Sequence, residues 1–166
     1  MKHAARSARI ATAVVACLGI AAGATFAADR KSGDVSREHG RYVVTIGGCN
    51  DCHTPGYAMT GGNVDEKHWL TGDALGWQGP WGTTYPVNLR LYMQALSEKE
   101  WVDKARHLKA RPPMPFWALN RMTDSDLRAV YRYIRSLGPA GVAAPSYLPP
   151  GQEPKTPYVT FPAPPK

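Results

Sequence analysis

Cysteine is scarce in this sequence: 166 residues hold three, Cys17, Cys49 and Cys52. So few cannot build the disulfide framework of a small secreted domain. Charge of one sign never gathers either. Twenty Lys and Arg against 13 Asp and Glu leave a net +7, yet no basic run is long enough to track a phosphate backbone, which argues against a nucleic-acid partner. Beyond the first 28 residues no apolar run could cross a bilayer. There are no internal repeats, and between His53 and Ser97 no convincing strand and little helical periodicity.

What is present begins with a leader. Lys2, Arg6 and Arg9 precede an apolar run from Ile10, and small residues close it at Thr25-Phe26-Ala27. Residues 1–27 therefore read as a secretory signal peptide, with an uncleaved anchor as the alternative. The apolar run continues through Cys17, which places that residue within the leader. Cleavage leaves Cys49 and Cys52 as the exported cysteines and lowers the net charge from +7 to +4. A mildly basic surface of that size suits docking onto an acidic partner.

Residues 28–138 have the composition of one domain, and residues 139–166 are rich in proline. Proline fixes φ and removes a donor, so this segment is an extended tail. It is either disordered or laid over the domain through Tyr147, Leu148, Tyr158 and Phe161.

Three helices can be argued. Val35, His39, Tyr42, Val43 and Ile46 share a face at helical spacing, and Gly47-Gly48 stop that helix. Ser97-Glu98-Lys99-Glu100 is a capping box opening a second, with Trp101, Val102, Ala105 and Leu108 as its stripe and Pro112 beyond its end. A third starts at Thr123 with Asp124 and Asp126 favourable to the helix dipole. Its apolar face is Leu127, Val130, Tyr131, Ile134 and Leu137, and Gly138-Pro139 stops it. The glycine-rich segment between His53 and Ser97 is long for a structureless loop. Trp69, Trp77, Trp81 and Tyr85 there would suit the edge of a large flat apolar cofactor, or would pack on one another.

The chemistry sits in "GGCNDCHTP", Gly47 to Pro55. A thioredoxin-like site needs its Cys-x-x-Cys after a strand and at the start of a helix; here it follows a helix. A structural zinc site needs four ligands, and no second cysteine pair exists. Covalent haem attachment explains the pattern: Cys49 and Cys52 reach two vinyl groups as thioethers, and His53 follows as an iron ligand. One motif means one haem c.

A second axial ligand must come from elsewhere. Met59 is too near His53 in sequence, and Met93 and Met122 read as core fillers. Met114, between prolines in "RPPMPFW", is held stiffly before any ligand arrives. It is the expected ligand. His68 and His107 are the histidine rivals and read as surface residues, and His39 reads as structural.

At these residues the chain resembles class I c-type cytochromes. The order of helix, Cys49-Asn50-Asp51-Cys52-His53, loops, Met114 and final helix is theirs. "GPWGTTYPVNL" and "RPPMPFWALNRMTDSDLRAVYRYIRSLGP" look like the cytochrome subunits of periplasmic alcohol, aldehyde and gluconate dehydrogenases. The resemblance implies an all-α cytochrome c fold, with crossed N- and C-terminal helices and long loops wrapping the haem. It would join Tyr42 and Ile46 to Val130, Tyr131 and Ile134. It further implies a proline carbonyl accepting the second ring proton of His53, for which Pro80 is the candidate. Tyr85, Asn88 and Arg90 could hold the propionates or be ordinary loop residues.

Histidine–methionine ligation implies a periplasmic one-electron carrier rather than an enzyme, working between a dehydrogenase and the respiratory chain. Its partners would be redox proteins, with peripheral membrane association left open. The rivals are a haem enzyme or gas sensor with an open distal site, and a haem-free thiol-redox module.

Overall fold

Two helices from opposite ends of the domain meet where Gly40 faces Ala129. The computed structural model describes residues 32–162, so the leader lies outside the described residues. Helices α1 (Ser32–Ile46), α2 (Cys49–His53), α3 (Leu89–Tyr92), α4 (Glu98–His107), α5 (Phe116–Arg121) and α6 (Asp124–Ser136) carry the core. Strands β1 (Gly76–Gly79), β2 (Gly82–Thr84) and β3 (Tyr158–Thr160) form one small sheet.

Helix α1 packs on α6. Val43 and Val44 of α1 and Leu127, Val130, Tyr133 and Ile134 of α6 are buried in one apolar cluster. Tyr42 and Ile46, expected to face α6, are 57% and 64% exposed. Gly40 sets the rotation of α1, because the absence of a side chain there lets the Ala129 backbone approach. The face turned inward is therefore Gly40, Val43 and Val44. His39 keeps a structural role through an Nε2 to Asp126 Oδ1 contact of 2.6 Å.

The expected capping box forms at α4, and α6 carries a second where the sequence suggested only acids favourable to the helix dipole. Ser97 and Glu100 satisfy each other at the start of α4, and Thr123 and Asp126 do so at α6. Helix α4 ends at His107, earlier than the Pro112 stop suggested. It is locked to α6 by Trp101, whose Nε1 donates to the Leu127 carbonyl at 2.8 Å, and by Glu98 bound to Arg128 and Arg132. Helix α5, which no sequence signal announced, follows the proline run, and its Asn120 donates to the Ala105 carbonyl of α4 at 2.7 Å.

The structure is helical without being all-α. In the glycine-rich segment β1 and β2 pair antiparallel, with Trp77 opposite Thr84, and the tail returns to lay β3 parallel along β1. Leu148 pairs with Thr83 on the other flank. As far as residue 162 the tail thus lies against the domain: Phe161 packs on Trp77 and Trp81, and the Tyr147 hydroxyl donates to the Trp81 carbonyl at 2.8 Å. Trp77 and Trp81 accordingly pack with the tail. Trp69 is buried in the main core, edge-on to Tyr57 and beneath Arg41. No helix among the described residues is long and apolar enough to cross a membrane.

Candidate functional site

The motif is built by a reversal. Helix α1 closes with the Gly47 amide bonded to the Val43 carbonyl at 2.8 Å, and Gly48 turns the chain with φ 67°. That conformation favours glycine. Cys49 to His53 then form their own helical turn, α2, which puts Cys49 and Cys52 three apart on one face. Their thiols are unpaired and half-buried, and Cys49 packs against the core.

Asn50 and Thr54, without a role on sequence grounds, hold this turn in place. Both are buried. The Thr54 hydroxyl donates to Asn50 Oδ1 at 2.7 Å and accepts from the Leu70 amide at 2.7 Å. The next link is the Gly72 amide, which donates to the His53 carbonyl at 2.8 Å. Gly72 has φ 75°, and any side chain there would meet the backbone of Asn88.

His53 is buried, and its Nδ1 lies 2.8 Å from the Val87 carbonyl. A carbonyl only accepts, so Nδ1 carries the proton and Nε2 is left with the free lone pair. Burial lowers the His53 pKa, opposed by that same bond, so the ring is neutral and able to ligate. The acceptor is Val87 rather than Pro80, which lies in the β1–β2 turn. The proline beside it in the sequence is Pro86, whose own carbonyl accepts from the Asp73 amide at 3.1 Å.

Burial first, then the Asp51 carboxylate, pushes the Cys49 thiol up to about 11, and Cys52 is raised for the same reasons. Thiol-redox chemistry calls for thiolates held by a lowered pKa. The pair is the wrong way round for that reading. Nor does any group of three or more His, Cys, Asp or Glu side chains suited to a metal come together among the described residues.

The remaining sequence candidates divide. Met114 is half-buried and packs on the same apolar cluster as Cys49. Met93 is fully buried, Met59 is 89% exposed, and Met122 lies half-buried beside Gly47. His68 and His107 are exposed. Asn88 and Arg90 are taken up by backbone groups instead of facing a carboxylate. Asn88 Oδ1 caps α3, accepting from the Leu91 amide, and its Nδ2 donates to the Ala140 and Val142 carbonyls at 2.8 and 3.0 Å. Arg90 donates to the carbonyls of Gly138, Lys67 and Leu137. It closes the C-terminal end of α6, where a cation is favoured. Tyr85 accepts from the Thr156 hydroxyl of the tail at 3.3 Å.

The donor set therefore fits a covalently held haem: two unpaired thiols on one helical turn, a neutral buried imidazole with one nitrogen committed and one free, and a thioether on the same core. Against known proteins, the Cytochrome c family model matches residues 38–138. Neither the curated proteins nor the solved structures yield a match. Because that match spans most of the chain and ends just past α6, with Cys49, Cys52 and His53 at the spacing a c-type haem requires, the chain belongs to the cytochrome c family and is a haem-based electron carrier.

Proposed function

We propose that the protein is an exported, periplasmic carrier of single electrons, with His53 and Met114 as the two axial ligands, working between a dehydrogenase and the respiratory chain. The observation that carries the ligand assignment is the His53–Val87 bond. It fixes the imidazole's tautomer and its orientation, and it makes the free nitrogen a better donor. Asn50, Thr54 and Gly72 hold the backbone of that histidine still, and the prolines around Met114 do the same for the thioether. When bound, haem supplies a one-electron couple. With His53 and Met114 both holding the iron, no position would be left open to a substrate, and little rearrangement would accompany the change of charge.

Export is supported by the leader, since thioether attachment to haem is made outside the cytoplasm. The dehydrogenase partner is supported by "GPWGTTYPVNL" and "RPPMPFWALNRM", two stretches that the fold ties together: Thr84 of the first donates to the Pro112 carbonyl of the second at 2.8 Å. The crossed helix pair of the family is supported by the close approach of Gly40 to Ala129.

Two measurements test the reading. Haem staining of the exported, denatured protein should be positive, and should be lost in the Cys49→Ala, Cys52→Ala double variant. The ferric protein should show the weak far-red thioether-to-iron absorption, and Met114→Ala should lose it. Absence of that band with carbon monoxide bound by the reduced protein would favour an open distal site.

A further inference from the structure

The segment that presents Met114 has almost nothing of its own to hold it. Pro112, Pro113 and Pro115 have no amide hydrogen. The internal bonds are Met114 amide to Arg111 carbonyl at 3.3 Å and Phe116 amide to Met114 carbonyl at 2.9 Å. Besides the packing of Met114 itself on the apolar cluster, the outside ties come from two places. One is the Thr84 hydroxyl on the Pro112 carbonyl. The other is the tail: the Tyr147 ring lies against the Arg111 guanidinium, 3.7 Å from ring centre to Cζ. No carboxylate pairs with Arg111 among the described residues, so the ring is the contact that orients it.

Tyr147 is itself fixed. Its hydroxyl donates to the Trp81 carbonyl at 2.8 Å, and Leu148 exchanges both backbone bonds with Thr83, at 2.8 and 3.0 Å. Gly82, with φ 94°, leaves room for this crossing; a side chain there would sit 3.0 Å from the Tyr147 ring. Upstream, the Ala140 and Val142 carbonyls are held by Asn88, the residue next to the Val87 that accepts from His53. The tail thus runs from the loop that orients His53 to the loop that presents Met114.

We infer that the proline-rich tail is a strap for the distal ligand: Tyr147, acting through Arg111, is a positioning residue that keeps Met114 in place to bind iron. This rests on Met114 being that ligand. A thioether is a weak neutral donor, so its hold depends on how little it must be ordered on binding, and a loop freed from its tie exchanges more readily with an outside ligand.

The test uses the full-length haem-loaded ferric protein titrated with imidazole, reading loss of the far-red thioether band. Tyr147→Ala should bind imidazole roughly fivefold more tightly than the unsubstituted protein, the scale of one cation–π contact. Arg111→Ala, at an exposed site that spares the fold, should do the same. Tyr147→Phe keeps the ring and should lie closer to the unsubstituted protein than to Tyr147→Ala. Phe161→Ala loosens the tail away from Arg111 and should not follow Tyr147→Ala. Unchanged imidazole affinity in both Tyr147→Ala and Arg111→Ala overturns the strap and leaves the Met114 ligand standing. Equal weakening by Phe161→Ala overturns it as general loosening. A band missing from the unsubstituted protein, or surviving Met114→Ala, overturns the ligand assignment and the strap with it.

Discussion

Gly40 of α1 sits directly against the Ala129 backbone of α6, so close that a methyl group at position 40 would meet the Ala129 carbonyl and lie 2.7 Å from the Tyr133 Cβ. Tyr133 is tethered by its hydroxyl to Glu66 at 2.7 Å, and Glu66 also receives Arg41 of α1. The helix pair cannot slide apart at this point without breaking that clip.

Gly40→Ala should therefore destabilise the protein by about 3 kcal/mol or more, despite alanine's better helix propensity. Urea unfolding of the haem-loaded protein measures it. A stabilised or neutral variant would mean that the helices do not touch there.

Thr54→Val keeps the shape of Thr54 but removes a hydroxyl that serves two buried groups, Asn50 Oδ1 and the Leu70 amide. Leaving both unpaired should cost about 2–4 kcal/mol. Thr54→Ser should recover most of it. The same urea series distinguishes the two, and equal loss in both variants would assign the effect to the methyl group.

How much of this was legible in the sequence depended on whether the information was local. The capping box at Ser97 is a code of a few residues and forms as expected, while Thr123 starts its helix as expected and adds a box with Asp126. The motif also names its own ligands. Tyr42 and Ile46 misled because apolar spacing gives a face, whereas the rotation of α1 is set by a glycine, which carries no hydropathy signal. The sheet was hidden because one of its three strands comes from a proline-rich tail some 80 residues away from its partner strand. The His53 acceptor was hidden for a different reason: it is a main-chain carbonyl, and any residue could have supplied it. The family resemblance implied a proline carbonyl and pointed to Pro80, while the bond falls on Val87, one residue past Pro86.

Arg90 offers a clean contrast between its two possible jobs. With its guanidinium on the Gly138, Lys67 and Leu137 carbonyls, Arg90→Gln should cost about 2–3 kcal/mol of stability by leaving charged-group bonds unmade. The pH dependence of the midpoint potential should stay as it is, because no propionate is losing its partner. A changed pH dependence with unchanged stability would return Arg90 to the haem.

Glu98 gives the pH prediction. Its bond to Arg132, aided by Arg128, holds its carboxyl below the ordinary 4.5, against the effect of burial. A depressed folded value means that the unfolded chain takes up the proton first as pH falls. The stabilisation is therefore complete above about pH 5 and is lost as pH drops below 4.5 through the folded value. The carboxylate bonds both arginines across the α4–α6 contact, at 3.0 and 2.7 Å, and its side chain is only 24% exposed. Such a paired network is worth about 1 kcal/mol once solvent screening is allowed for. Glu98→Gln should be less stable than the unsubstituted protein by that amount near neutral pH, and the gap should close as pH falls below 4.5 through the lowered folded value. A gap that persists at low pH would trace to packing of the side chain and not to its charge.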